Sequence, residues 1–130
     1  MAAPTVLVVD DDKLTRFSVS KILGRAGYRV REAGLAKEGM AAIKEERPGV
    51  VLLDIRLPDG DGFAVLREIQ ASHPGIPVVL MTAHHSEDTA RAATAMGARA
   101  YLAKPCDPAQ LQSVVSAALA AESPPASGIR

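Results

Sequence analysis

Three consecutive aspartates at Asp10-Asp11-Asp12, a further aspartate at Asp54, a threonine at Thr82 and a lysine at Lys104 are the residues of this 130-residue chain whose types could do chemistry together. Each stands at the end of a short apolar run. Val6–Val9 precedes the three aspartates, Val50–Asp54 ends in the fourth, Val78–Met81 precedes Thr82, and Ala100–Ala103 precedes Lys104-Pro105. Carboxylates gathered at one rim repel one another unless a cation lies among them. Oxygen ligands select a hard cation, and a small site with a few carboxylates and open water positions suits Mg²⁺, or Mn²⁺ in its place. The Thr82 hydroxyl can donate to an oxyanion, and the Lys104 ammonium is a mobile point charge suited to phosphate. Around one aspartate these groups make a site for phosphoryl transfer to a carboxylate nucleophile, in which positioning and charge neutralisation do most of the work. Each element alone has a plain structural reading. An aspartate after a strand commonly caps the next helix, a lone threonine there is structural, and a lysine before proline lies on the surface. Their joint placement on four strand ends is what chance rarely supplies.

The elements that must position them follow from the hydrophobic pattern. The apolar runs, with Arg29–Ala33 as a weaker edge candidate, read as parallel strands buried on both faces. Between them, apolar residues recur at helical spacing: Val19, Ile22, Leu23 and Ala26, then Ala36, Gly39, Met40 and Ile43, then Gly62, Val65, Leu66 and Ile69. Thr89, Ala92, Ala93 and Met96 make a fourth such set, and Leu111, Val114, Val115 and Ala118 a fifth. Turn signals fall between them: Gly27 after the first helix, Pro48-Gly49, Pro74-Gly75 with Pro77, Gly97 after the fourth helix, and Asp107-Pro108 as cap and first residue of the fifth. Five βα units imply an α/β fold, a doubly wound parallel sheet with helices on both faces. In such a sheet ligands bind outside the carboxyl ends of the strands, where the chemistry-bearing residues lie.

Composition narrows the classes. With 48% hydrophobic and 23% charged residues the chain is globular, and its length is that of one domain. Lys+Arg and Asp+Glu are 15 each, so no excess positive charge points to direct nucleic-acid binding. The single cysteine, Cys106, excludes an intrachain disulfide and points to a cytoplasmic protein. Residues Met1 to Val9 lack a basic region and run into aspartates, unlike a signal peptide. No apolar stretch approaches the roughly 20 residues that span a bilayer, so no membrane association is expected. Residues 1–121 make the domain. Residues 122–130, rich in Ser, Pro and Gly, read as a flexible tail or the start of a linker to a further domain.

The segments Val8-Val9-Asp10-Asp11-Asp12, Leu53-Asp54-Ile55-Arg56-Leu57-Pro58-Asp59-Gly60-Asp61-Gly62, Met81-Thr82-Ala83 and Tyr101-Leu102-Ala103-Lys104-Pro105 resemble bacterial two-component response-regulator receiver domains, in order and with the family's spacing, over about residues 5–121. Asp54-Ile55-Arg56-Leu57-Pro58 and Met81-Thr82-Ala83-His84 look most like receivers of the nitrogen-regulatory (NtrC) class, which precede an AAA+ transcription activator. The resemblance implies a flavodoxin-like sheet of order 2-1-3-4-5 and a switch rather than an enzyme. Asp54 would be the phosphoacceptor, supplied by a sensor histidine kinase or a phosphotransfer protein. Asp11, Asp54 and the backbone carbonyl of Arg56 would ligate Mg²⁺, with Asp10 acting through a metal-bound water or orienting the site. Asp12 would start the first helix. Lys104 would contact the phosphoryl group, and the bond to Pro105 would be cis. Thr82 would move toward a phosphoryl oxygen and Tyr101 would turn inward with it. The face of the fourth helix, fifth strand and fifth helix would then control an output domain for transcription regulation, or a homodimer formed on activation. Pro58, Gly62 and Pro105 would shape the loops.

Other readings fit less well. A haloacid-dehalogenase-like phosphatase needs an Asp-x-Asp-x-Thr motif after the first strand and room for a cap, and both are missing. A flavodoxin needs a Ser/Thr/Gly-rich phosphate loop there, where three aspartates would repel the phosphate. A receiver-like module without phosphorylation would not need the full acidic set. Asp59-Gly60-Asp61-Gly62 resembles part of a calcium loop but lacks the further ligands, so it reads as a turn. Adjacent His84 and His85 cannot share a helix face and read as a solvated loop. The resemblance puts His84 and Arg56 at positions where the family varies, from which they would govern access of a hydrolytic water. Cys106, where the family often has Phe, reads as helix packing, and His73 as a helix C-terminal residue.

Overall fold

The computed structural model describes residues 3–121. The segment 122–130 expected to form a tail or linker lies outside the described residues. Five strands, β1 (Thr5–Val9), β2 (Arg29–Ala33), β3 (Val50–Asp54), β4 (Val78–Thr82) and β5 (Ala100–Ala103), alternate with five helices, α1 (Lys13–Arg25), α2 (Ala36–Glu45), α3 (Gly62–Ser72), α4 (Glu87–Ala95) and α5 (Pro108–Ala121). The strands form one parallel sheet with β2 and β5 at its edges and β1, β3 and β4 between them, the order 2-1-3-4-5. The fourth strand runs one residue further than the apolar run Val78–Met81, because Thr82 pairs with Ala103.

This order fixes where the helices go. Right-handed crossovers that move from β1 out to β2 put α1 on one face. The chain then reverses and steps through β3, β4 and β5, which puts α2, α3 and α4 on the other. Strand periodicity splits the core accordingly. Leu7, Val9, Val51, Leu53 and Leu80 pack with Ile43 of α2, Leu66 and Ile69 of α3 and Ala93 of α4. Val6, Val8, Val50, Leu52, Val79 and Met81 pack with Val19 and Leu23 of α1 and Leu111, Val115 and Ala118 of α5. Each fully buried Val, Leu, Ile or Met contributes about 1.5–3 kcal/mol relative to exposure. Two helices are less embedded than their spacing suggests. Ala26 is exposed because it is the C-cap of α1, where the chain turns through Gly27 at φ 97°. In α4 only Ala93 is buried, so this helix is held by a thin apolar face.

The caps are local for four helices and long-range for the fifth. Asp12, Asp61 and Ser86 accept from the backbone N–H of Leu14, Phe63 and Thr89 at the starts of α1, α3 and α4. Asp107 accepts from Gln110 N at the start of α5. Leu35 precedes α2 and has no capping oxygen. Asp59 supplies it instead, accepting from Ala36 N at 2.7 Å and Lys37 N at 3.1 Å. These two amides hold the Asp59 carboxyl below the ordinary aspartate range. Asp59 sits in the turn of a small antiparallel hairpin, Arg56–Leu57 against Gly60–Asp61, that follows β3. The segment that resembled a calcium loop is therefore a turn that ties α2 to the chain just after Asp54.

Gly62 closes that hairpin against β3. A Cβ there would fall 2.5 Å from the Asp54 carbonyl oxygen and 2.6 Å from the Ile55 Cα, both backbone atoms. Alanine in a helix ordinarily stabilises by about 1 kcal/mol over glycine. Here the sign reverses, because the backbone of Asp54 and Ile55 would have to shift. Gly62→Ala is expected to destabilise the domain by about 1–3 kcal/mol, the usual cost of overpacking, read as a lower denaturant midpoint at unchanged m-value. A variant as stable as the parent would show that the backbone after Asp54 is not tightly held.

Candidate functional site

The sheet order reverses between β1 and β3, and this is the crevice in which open α/β sheets bind ligands. Four polar or charged residues are buried in the described chain: Thr5, Asp10, Asp54 and Thr82. Three of them lie at the carboxyl ends of β1, β3 and β4. Burying a carboxylate is costly unless it is paired, so two buried aspartates side by side require an explanation.

Lys104 supplies part of it. The residue follows β5, and its N–H is tied to the Thr82 carbonyl at 2.8 Å. Its Nζ donates to Asp54 Oδ2 at 2.9 Å and lies 2.6 Å from Asp10 Oδ2. The ammonium thus sits between the ends of β1 and β3. Asp54 Oδ1 accepts from its own loop, at Arg56 N, 3.1 Å away. Asp10 is fully buried, and its Oδ1 accepts from Asp12 N at 2.9 Å. Burial pushes the Asp10 carboxyl up, only partly offset by Lys104 and the Asp12 amide, and the Asp54 charge pushes it the same way. Burial pulls the Lys104 ammonium down, but its two carboxylate partners outweigh it and the net direction is up.

Lys104 does not complete the site. The carboxylates of Asp10, Asp11 and Asp54 have oxygens within 4.8 Å of one another. Three carboxylates against one ammonium leave two negative charges uncompensated. The contact from Lys104 to Asp10 Oδ2 is an ion pair, and this buried oxygen has no further partner among the described residues. An all-oxygen donor set, a buried oxygen with no partner but the lysine and uncompensated negative charge fit a hard divalent cation. Asp12, the third aspartate of the run, points elsewhere, capping α1 through Leu14 N and Thr15 Oγ1.

Above the acidic cluster is an open cavity of about 450 Å³, lined by Asp11, Asp54, Arg56, Pro58, His84 and Lys104 among others. Thr82, which also borders it, is 3% exposed, and its Oγ1 accepts from His84 N at 3.0 Å. The donor side of that hydroxyl is unused among the described residues. Tyr101 is half-buried on β5, toward the α4 side of the sheet. Its hydroxyl meets His85 Nδ1 at 3.2 Å, with ring centroids 5.5 Å apart. The Lys104–Pro105 peptide is cis. Cys106 packs against the α1/α5 side of the core, and burial pushes its thiol up, away from reactivity. His73 is the C-cap of α3. A cleft of about 580 Å³ between α2 and α3, lined by Lys37, Lys44 and Glu68 among others, gathers no such buried polar group.

Residues with no motif to announce them also serve the site. Arg16 of α1 donates from Nη1 to the Asp10 carbonyl at 2.6 Å and from Nε to Glu32 at 3.1 Å. Asp59 anchors the loop after Asp54, and the only trace of that in the sequence is the missing cap at Leu35. The contact of His85 with Tyr101 has no sequence signal at all.

Residues 6–116 match the family profile of the response regulator receiver domain. The chain is 40% identical over 114 residues to the DNA-binding transcriptional regulator NtrC of Salmonella typhimurium, covering 88% of this chain and 24% of that protein. It is 40% identical over 115 residues to the transcriptional regulatory protein ZraR of Escherichia coli, covering 88% of this chain and 26% of that protein. It thus spans about a quarter of the length of these curated relatives. Among solved structures, the receiver domain of NtrX from Brucella abortus superposes with a TM-score of 0.84 at 38% identity, covering 88% of this chain and 98% of that one. A CheY-like receiver domain protein from Methanospirillum hungatei gives 0.86 at 32% identity, covering 92% and 96%. The chain belongs to the response regulator receiver domain family.

Proposed function

We propose that this chain is a phosphorylation-dependent switch of a two-component system, in which Asp54 accepts a phosphoryl group from a sensor histidine kinase or a phosphotransfer protein. The observation that carries the reading is the cluster of Asp10, Asp11 and Asp54 with oxygens within 4.8 Å, in which Lys104 bridges Asp10 and Asp54 while Asp11 and Asp54 line an open cavity. An Asp54 carboxylate oxygen attacks the phosphorus in line, and the bond to the donor nitrogen breaks. Lys104 already contacts Asp54 and stays beside the transferred oxygens as their counter-charge. Asp11, Asp54 and the Arg56 carbonyl would hold Mg²⁺, or Mn²⁺, with Asp10 acting through a metal-bound water or orienting the site. When bound, the ion neutralises charge on the phosphoryl oxygens and orients them. The domain assists its own phosphorylation and dephosphorylation without being an enzyme toward other substrates.

The switch follows from the movement of one hydroxyl. A phosphoryl group brings roughly one to two negative charges and three acceptor oxygens. Thr82 donates to one of them by moving its Oγ1 toward it and away from His84 N, which then loses its acceptor. The loop that carries His85 then rearranges, and Tyr101 loses the partner that holds its hydroxyl. The weakly embedded α4 lies next along the chain and moves at low cost. The face made by α4, β5 and α5 is the readout. The transcriptional relatives support an output domain beyond this one in the full protein, acting in the cytoplasm, with homodimers on activation as one route. A formal net charge of zero argues against direct nucleic-acid binding by this domain.

Intact-protein mass spectrometry after incubation with acetyl phosphate tests the chemistry. A single phosphoryl addition that requires both Mg²⁺ and Asp54, and vanishes in Asp54→Asn, is expected. Addition at equal level in that variant would place the acceptor elsewhere. For the switch, a phosphoryl mimic is expected to change amide exchange within residues 84–105. Unaltered exchange across that span would contradict the coupling through Thr82.

A further inference from the structure

The acidic pair after β1 is held unevenly. Asp10 is fully buried, and its Oδ1 accepts from Asp12 N. Asp11 is exposed and makes no side-chain hydrogen bond among the described residues, so its carboxylate is aimed only by the backbone that carries it. That backbone begins with the Asp10–Asp11 peptide, whose carbonyl oxygen accepts from Arg16 Nη1 at 2.6 Å.

Arg16 is itself built in. Its side chain is 18% exposed. Nε donates to Glu32 Oε1 on β2 at 3.1 Å, and the other Glu32 oxygen accepts from Ser20 Oγ at 2.9 Å. A Cβ at Gly34 would approach Arg16 Nη1 to 3.2 Å, so the glycine leaves the guanidinium its room. One arm of the fork is thus fixed by the edge strand, and the other reaches a carbonyl at the rim of the acidic cluster. The two contacts leave from separate nitrogens of a rigid fork, whereas a lysine carries all its donors on one nitrogen and does not reproduce that spacing. The Arg16 charge is matched by Glu32 and leaves the two excess negative charges of the cluster in place. Its role is therefore orientation and not neutralisation.

We propose that Arg16 is a positioning residue of the divalent-cation site: it clamps the Asp10–Asp11 peptide and so aims the Asp11 carboxylate, with Glu32 holding the clamp. The proposal rests on reading Asp10, Asp11 and Asp54 as the site of Mg²⁺. Groups that orient metal ligands through such contacts typically change affinity by about 10–100-fold when removed.

The test is Mg²⁺ titration of the domain without any phosphoryl donor, followed by backbone amide shifts, with each variant first shown by thermal melting to be folded at the titration temperature. Wild type is expected to bind and Asp11→Asn to lose binding. Arg16→Met and Arg16→Lys are expected to bind about tenfold or more weakly. Glu32→Gln, which leaves Arg16 in place and loosens it, is expected to fall between them and wild type, and keeps the test open if Arg16→Met does not fold. Wild-type affinity in a folded Arg16→Met or Arg16→Lys, with Asp11→Asn still deficient, would overturn the clamp while sparing the metal site. Failure of wild type itself to bind Mg²⁺ would overturn the metal reading, and the clamp with it.

Discussion

The ammonium of Lys104, standing between Asp10 and Asp54, is the interaction on which the rest of the structure turns. It joins the ends of β1, β3 and β5, three strands that the sheet order brings side by side across β4 or directly. Without it, two buried carboxylates would face each other with no counter-charge. With it, the pair is tolerable and still unfinished, because Asp11 adds a third negative charge and Asp10 Oδ2 has no partner but the lysine among the described residues. A site left short of positive charge in this way favours a cation, and under the proposed function a phosphoryl group would share that cation and the lysine. The energetic cost of assembling like charges is thus the source of the chemistry.

The remaining architecture can be understood as support for that cluster. Apolar strands buried on both faces give rigid ends from which single side chains project into one crevice. The loop after Asp54 is pinned at both sides, by Gly62 against the Asp54 backbone and by Asp59 at the start of α2. On the opposite side the contact is looser. Thr82 holds the His84 amide, His85 holds the Tyr101 hydroxyl, and α4 buries only Ala93. One flank is stiff and the other is cheap to rearrange, which is the asymmetry a switch needs if a local charge change is to be felt at a distant face.

Much of this was legible in the chain itself, for physical reasons. Val50–Asp54 read as a strand buried on both faces, because four apolar residues in sequence leave no solvent side and Pro48-Gly49 precedes a run too short for a helix. Asp10, Asp54, Thr82 and Lys104 were legible because each stands at the end of such a run, and parallel topology gathers those ends. Local caps such as Asp12 and Asp107 were visible because they act on amides two or three residues away. Asp59 acts on Ala36 across 23 positions and Arg16 on Glu32 across 16, so neither contact exists until the sheet is wound. Ala26 was misleading for a related reason: it continues the apolar spacing of α1, but the helix ends there and the residue faces solvent.

The most direct test is a crystal structure of the domain grown with Mg²⁺ and beryllofluoride, a stable mimic of the transferred group. The account predicts beryllium bonded to a carboxylate oxygen of Asp54, an ion held by Asp11, Asp54 and the Arg56 carbonyl, Lys104 against a fluoride, and the Thr82 hydroxyl turned from His84 toward another. An adduct on any other residue, or an ion bound away from the acidic cluster, would contradict it.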